Sequence, residues 1–376
     1  MFSLQIDTAR TWRGGQNQVL LTACGLRARG HRVVVAAHPD GELRRRLGDL
    51  VDVIPLAPRG EVDLPAAWRL SRVLRDLQPD VVHAHDPHGV AAAAAALPIA
   101  ALACRPPLVA ARRVDFHLKG NSFSRWKYRQ VDCFIAASDA IRSMLVEDGV
   151  PAARALTVHE GVDLERVAGI APLNVREQYW FPPHSLVVGN IAALVPHKGQ
   201  KHLIDAAALV VREMPEARFL ILGEGELRAS LEQQIRHLHL GQHVLLGGFR
   251  TDVLAVLKGL DLFVMSSVTE GLGTSLLDAM AAGRAVVATR AGGIPEVVVH
   301  GETGLLVPPR DPGSMAAAIV EVLRDPARRR RYGEAGLTRV GACFSVNRMV
   351  EATLEVYARL AGTTPARGTA RPEPAG

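Results

Sequence analysis

Short unbroken apolar runs recur along the whole chain, and most are followed by a segment whose apolar positions return every three or four residues. In the first half "SLQID", "VVVAA", "VDVI", "DVVHAH", "PLVAA", "CFIAAS" and "ALTVHE" read as strands. In the second half "LVVGNIAAL", "ARFLILG", "HVLLGG", "LDLFVMSS", "AVVATR" and "GLLVPP" repeat the scheme. A continuous apolar run suits a strand covered on both faces, the condition of a parallel sheet between two helix layers. The alternation therefore predicts an α/β protein of two doubly wound, Rossmann-like sheets. The polar, proline-containing stretch 161–183 has little periodicity and marks the junction. Domains are expected over 1–167 and 168–344, with a helix at 345–361 packing back on the first domain. The tail 362–376 has no large apolar residue and is expected to be disordered.

Composition narrows the class. A chain of 376 residues exceeds what one core usually supports, and an apolar share of 48% suits a globular protein. The run "VAAAAAALPIAALAC" (90–104) is too short for a bilayer and carries Pro98, so it reads as a buried or half-buried helix. The start, "FSLQID", reads as a strand and not as a charged-then-apolar leader. Cys24, Cys104, Cys133 and Cys343 lack paired spacing and are expected to be reduced core residues of a cytoplasmic chain. The formal net charge of +6 is spread over both halves with no dense basic stripe. That favours anionic small molecules or an anionic membrane surface as partners and argues against nucleic acid.

Chemistry gathers where strands give way to helices. In "EGLGTSLLD" (270–278) two acids flank a glycine-rich turn that opens a helix, the edge at which open α/β sheets bind ligands. "RTWRGGQNQ" places Gly14 and Gly15 at a second helix start, and "ALVPHKGQ" places Lys198 in a third turn. "RAGGIPEVV" adds another glycine turn with Glu296 in the first helical turn, where a dipole-complementing acid is an equally good reading. Backbone donors and a lysine suit a diphosphate, and carboxylates suit paired sugar hydroxyls, so the set points to a sugar nucleotide. His83 and His85 share a strand face, but no third ligand with metal spacing accompanies them. No Asp-x-Asp triplet occurs and no metal or cofactor is expected. A three-glycine dinucleotide fingerprint is missing, which weakens a nicotinamide-dependent reading.

"NIAALVPHKGQ", "FLILGEGELR", "EGLGTSLLDAMAAGRAVVATRAGGIPEVV" and "GETGLLVPPRDP" resemble the nucleotide-binding domain of the retaining "group 1" glycosyltransferases, which have the GT-B fold of two facing Rossmann-like domains. "RGGQNQ", "PDVVHAHD", "IAASDAIRSML" and "HEGVDLERV" resemble its N-terminal domain. The resemblance implies transfer of a sugar from a UDP- or GDP-sugar to a hydroxyl acceptor, for a cell-surface glycan or glycolipid. It assigns donor-sugar hydroxyls to Glu270, phosphate charge to Lys198 and the ribose to Asp278. The backbone of Gly271, Leu272, Gly273, Thr274 and Ser275 would meet the diphosphate and sugar. Gly15 would approach from the opposite domain, and Gly223 is a further donor-side glycine.

Three departures bear on this. The second acid of the motif is Asp278 where the family usually has glutamate. Ala193 stands where an arginine is usual, and Arg113 where a histidine often follows the strand. Arg13, Arg113 and His197 are candidates for the missing phosphate charge, and His85 is a candidate acceptor contact. Alternatives are a sugar-nucleotide 2-epimerase on the same fold and a non-catalytic sugar-nucleotide-binding protein. The segment 112–130, with six Lys/Arg and four aromatics, suits a lipid-linked acceptor and peripheral contact with the cytoplasmic face of a membrane.

Overall fold

The structure is a computed structural model that describes residues 1–118 and 120–362. The first sheet holds β1 (Phe2–Asp7), β2 (Arg32–Ala37), β3 (Asp52–Pro55), β4 (Val81–Ala84), β5 (Leu108–Arg112), β6 (Cys133–Ala136) and β7 (Ala155–Thr157). Its helices are α1 (Gly14–Ala28), α2 (Glu42–Leu47), α3 (Leu64–Leu77), α4 (Pro87–Ala100), α5 (Ser122–Arg129) and α6 (Asp139–Glu147). Two short helices, α7 (Leu164–Gly169) and α8 (Val175–Gln178), lead into the second sheet.

That sheet holds β8 (Leu186–Ile191), β9 (Ala217–Leu222), β10 (Val244–Gly248), β11 (Leu262–Met265), β12 (Val286–Thr289) and β13 (Gly304–Val307). Between and after its strands lie α9 (Gln200–Glu213), α10 (Arg228–His237), α11 (Val253–Gly259), α12 (Thr274–Ala281), α13 (Ile294–Val297), α14 (Pro312–Arg324), α15 (Pro326–Cys343) and α16 (Val346–Gly362). Each apolar run read as a strand is one.

All strand pairs are parallel, in the orders β3-β2-β1-β4-β5-β6-β7 and β10-β9-β8-β11-β12-β13. Each sheet is buried on both faces by apolar clusters, which is why its strands read as unbroken runs. Strand order reverses between β1 and β4 and between β8 and β11. At such a switch point the loops leave in opposite directions and open a crevice. The loops flanking the second one carry Lys198, after β8, and the Glu270 turn, after β11.

Local chemistry sets the helix starts. Asp63 accepts from the Ala66 amide at α3, and Asp86 from those of His88 and Gly89 at α4, each with a proline in the first turn. The alanine-rich run is α4, buried through most of 89–97 and exposed at Pro98 and Ile99, and it stops at Ala100, leaving 101–104 outside. The cysteine expectation needs correction. All four are free, but only Cys133 is buried, Cys24 and Cys104 are half-buried and Cys343 is exposed. The helix α16 lies across α1 and puts Val350 against Gly25, where an added Cβ would come within 2.5 Å. Among the described residues no helix is long and apolar enough to cross a membrane. The expectation for the tail beyond residue 362 lies outside the described residues.

Candidate active site

Lys198 and Glu270 meet at the β8/β11 switch. Lys198 Nζ is 2.8 Å from Glu270 Oε1 and 2.6 Å from Oε2, and Ser267 Oγ donates to Oε2 at 2.8 Å. Glu270 is only 9% exposed, so this charged pair is held on one side and open to the cleft on the other. Two left-handed glycines permit the approach. A Cβ on Gly199 would sit 2.1 Å from the Ser266 carbonyl oxygen, and one on Gly292 would sit 1.8 Å from that of Glu270.

After Glu270 the chain offers donors. None of the amides of Gly271, Leu272, Gly273, Thr274 and Ser275 finds an acceptor among the described residues. They end at the start of α12, capped by Gly273 at φ 98° with no side-chain acceptor. Orphan donors and the positive end of the helix dipole make this a ready anion site. The start of α1 meets it from the other domain, since a Cβ on Gly14 would fall 2.5 Å from Thr274 Oγ1. The backbone amides of Gly14 and Gly15 also lack partners among the described residues. Gly15 keeps the more open flank, with Arg113 Cδ at 3.9 Å from a built Cβ.

Around these donors stand groups of both signs. Arg13 is exposed at the N-cap of α1. His197 lies edge-on to Phe116 with ring centres 5.5 Å apart; burial and then Lys198 hold its pKa below the ordinary value. Arg113 reaches Glu160, Nε to Oε1 3.2 Å, with its side chain 17% exposed. Asp278 is half-buried, and its carboxyl makes no hydrogen bond or ion pair among the described residues. Burial, with a smaller push from Glu160 against a pull from Arg166, raises its pKa to about 7.

Two expected contacts need correction. His85 stands behind the cleft wall: Nε2 is 2.7 Å from Gln5 Oε1 and Nδ1 is 3.1 Å from Arg113 Nη1, so neither ring nitrogen is free. Gly223 spends its amide on Gly248 O at 2.8 Å, and its φ of 139° lets it pass the Ala192 carbonyl oxygen, so it shapes the loop without offering a donor.

Two site residues escaped the sequence reading. Glu160, just past β7, is 7% exposed, and burial raises its pKa to about 7 against the pull of Arg113. Asp7, at the end of β1, is lifted to about 6 by burial and then by Asp86. Both are acids at the C-terminal ends of strands, a signal present in the sequence. Glu296 does more than complement its own helix. Its carboxylate accepts from the amides of Asp139 and Ala140, each at 2.9 Å, and from His159 Nε2 at 2.9 Å, so a side chain of the second domain caps α6 of the first. Burial alone would raise its pKa; the His159 and amide hydrogen bonds outweigh that and lower it. Asp139, His159 and Glu296 bring ligand atoms within 4.8 Å of one another, the spacing of a cation site, but their bonds to each other and to the amides already use that geometry.

A cleft between two switch points, walled by two helix starts, a Lys-Glu pair and an unpartnered acid, defines a GT-B enzyme built to hold an anionic, hydroxyl-rich ligand. Comparison with known proteins agrees. Residues 174–339 match the family described as Glycosyl transferases group 1, and residues 12–166 match Glycosyltransferase Family 4. The glycogen synthase of Mycobacterium tuberculosis (strain ATCC 25618 / H37Rv) is 30% identical over 358 residues, covering 92% of this chain and 83% of that one. The GDP-mannose-dependent alpha-(1-6)-phosphatidylinositol monomannoside mannosyltransferase of the same strain is 33% identical over 264 residues, covering 64% and 68%. The crystal structure of Anabaena HepE in complex with UDP-glucose superposes with a TM-score of 0.83 at 24% identity, over 96% of this chain and 100% of that one. The chain belongs to the group 1 glycosyltransferases.

Proposed function

We propose that the protein moves a sugar from a UDP- or GDP-sugar to a hydroxyl acceptor with retention at the anomeric carbon. The observation that carries this is the run of five unpartnered amides at 271–275, set between the Lys198–Glu270 pair and the start of α1. The diphosphate lies on those amides, with Lys198 and the cations of the first domain, Arg13 and Arg113, completing its charge. Glu270 receives sugar hydroxyls through the lone pairs that Lys198 and Ser267 leave free, and Asp278 receives the ribose hydroxyls. The bond from the anomeric carbon to the diphosphate oxygen breaks as the acceptor oxygen bonds to that carbon on the same face. The acceptor proton passes to the departing phosphate oxygen. Glu270 is already tied by Lys198 and Ser267, which supports this route over attack by a carboxylate. The charge stabilisation comes from side chains and amides, so no divalent metal is required.

The acceptor is read as a lipid-linked glycan at an anionic bilayer. Exposed Val62, Leu64, Trp68, Phe116 and Trp126 support this, with a hollow of about 70 Å³ floored by Ala91, Ala92 and Ala95 between several of them. A panel of sugar nucleotides scored by melting temperature, followed by release of nucleoside diphosphate with and without acceptor, tests the reading. Absence of stabilisation by every UDP- and GDP-sugar refutes it.

A further inference from the structure

A line of buried polar side chains joins the last helix to the cleft. Tyr357 Oη, on α16, is 2.7 Å from His83 Nδ1 and 3.1 Å from Gln5 Nε2. From Gln5 the line continues through His85 to Arg113 and Glu160 at the distances given above. Gln5, His83, His85, Tyr357 and Glu160 are all buried. Glu160 in turn feels the charges of Glu270 and Lys198.

Hydrogen-bonding roles along this line follow from one end. A guanidinium only donates, so His85 Nδ1 accepts from Arg113 and its Nε2 carries the hydrogen. That hydrogen goes to Gln5 Oε1, which leaves the Gln5 amide nitrogen to donate to Tyr357 Oη and to Ser3 Oγ, 2.9 Å away. The Tyr357 hydroxyl hydrogen then has His83 Nδ1 as its acceptor, and His83 also carries its hydrogen on Nε2. That Nε2 is buried with no partner among the described residues, so the line ends at His83. Burial, aided by Arg113, holds both histidines well below their ordinary pKa, and burial holds the Tyr357 hydroxyl well above its own, so each group keeps the form the chain requires. Arg113 is gripped by His85 on one nitrogen and by Glu160 on another. Its remaining N–H groups have no acceptor among the described residues, beside Gly15 at the cleft.

We infer that Tyr357 is a positioning residue for sugar transfer: through Gln5 and His85 it holds the Arg113 guanidinium at the diphosphate, which makes α16 part of the active-site apparatus. The inference rests on the function proposed above. It explains how an arginine can serve where the family often has a histidine. The neutral, accepting His85 behind it supplies the grip that a shorter ring would not need. A buried neutral hydrogen bond lost from such a line lowers turnover by about tenfold where it acts on the transition state.

The test is a double-mutant cycle on the full-length protein. Tyr357→Phe is expected to lower kcat about tenfold with the donor KM within about twofold, and to have less than about a twofold effect when added to Arg113→Met. A kcat within about twofold of the parent, or equal losses in both backgrounds, overturns the inference. A second readout needs no turnover. In ¹⁵N-histidine spectra of the resting protein His83 and His85 are expected as neutral Nε2–H tautomers, with the tautomer balance disturbed in Tyr357→Phe. Spectra unchanged by the substitution overturn the inference even if no sugar nucleotide proves to be a donor, whereas that failure of donors alone would count against the proposed function.

Discussion

Replacing Asp278 by asparagine should stabilise the unliganded protein and impair it as an enzyme. The carboxyl is half-buried and lacks a partner among the described residues; burial, with Arg166 opposing and Glu160 adding a little, disfavours its charged form and raises its pKa from 3.8 to about 7. A carboxyl whose pKa is raised on folding binds more protons in the folded state. Its contribution therefore falls as pH climbs from about 4 to about 7, and the full cost is present above that. At about 1.36 kcal/mol per pKa unit the shift sets a ceiling of about 4 kcal/mol; partial exposure and screening bring the expected value to about 1–2 kcal/mol.

Asparagine keeps the shape and removes the charge. At pH 8 Asp278→Asn should melt a few degrees higher than wild type, on a scale of about 2–4 °C per kcal/mol for domains of this size. At pH 4.5, where wild type is protonated at this position, the two should melt together. Donor affinity should move the other way, weaker by about ten- to a hundredfold, because a charged acceptor for ribose hydroxyls is lost. Differential scanning calorimetry at the two pH values and donor titration make the measurement. A variant that melts no higher at pH 8, or gains as much at pH 4.5, refutes the argument from uncompensated charge. Unchanged donor affinity refutes the ribose role.

Lys198→Ala and Glu270→Gln should each cost about one to two orders of magnitude in kcat with little change in fold, read by steady-state kinetics beside a melting curve; full turnover in either variant removes that residue from the mechanism. Glu296→Ala uncaps α6 across the domain boundary and should cost about 1–2 kcal/mol at pH 7.5. Because the Glu296 pKa is lowered on folding, that difference should shrink as the solution is acidified through the carboxylate range, and a difference independent of pH would point to packing alone. Activity in excess chelator should stay within a few-fold of the untreated enzyme. Abolition by chelator with recovery on adding magnesium or manganese would contradict the metal-free proposal.

Both sheets were legible in the sequence because their strands are buried on both faces and so read as unbroken apolar runs. The turn at 270–275 was legible because glycines at a strand-to-helix junction have few other uses. What the sequence hid are contacts between distant segments. Gln5 and Tyr357 are 352 residues apart in the chain, and Glu296 caps a helix 156 residues before it. No periodicity encodes such pairs; they exist only after two domains and a returning helix have docked. Glu160 stood in view within "HEGVD", but its burial beside Arg113 depends on β5 lying two strands from β7. His85 was misjudged for the converse reason: strand alternation set its face, not the neighbours that occupy both its nitrogens.

The contact between Gly14 and Thr274 has a consequence for timing. Two helices begin there, and each start carries roughly half a positive charge, with Arg13, Arg113 and Lys198 nearby. Lys198 and Arg113 are each paired with an acid, Glu270 and Glu160, so the unmatched positive charge of this joint is that of the two helix starts and Arg13. Under the proposed function the diphosphate is its counterion and lies against both domains at once. The sugar would leave with the acceptor while the nucleoside diphosphate stays held between the two helix starts. Under that reading salt competes for the diphosphate's place at both helix starts, so ionic strength acts on product release as well as on binding.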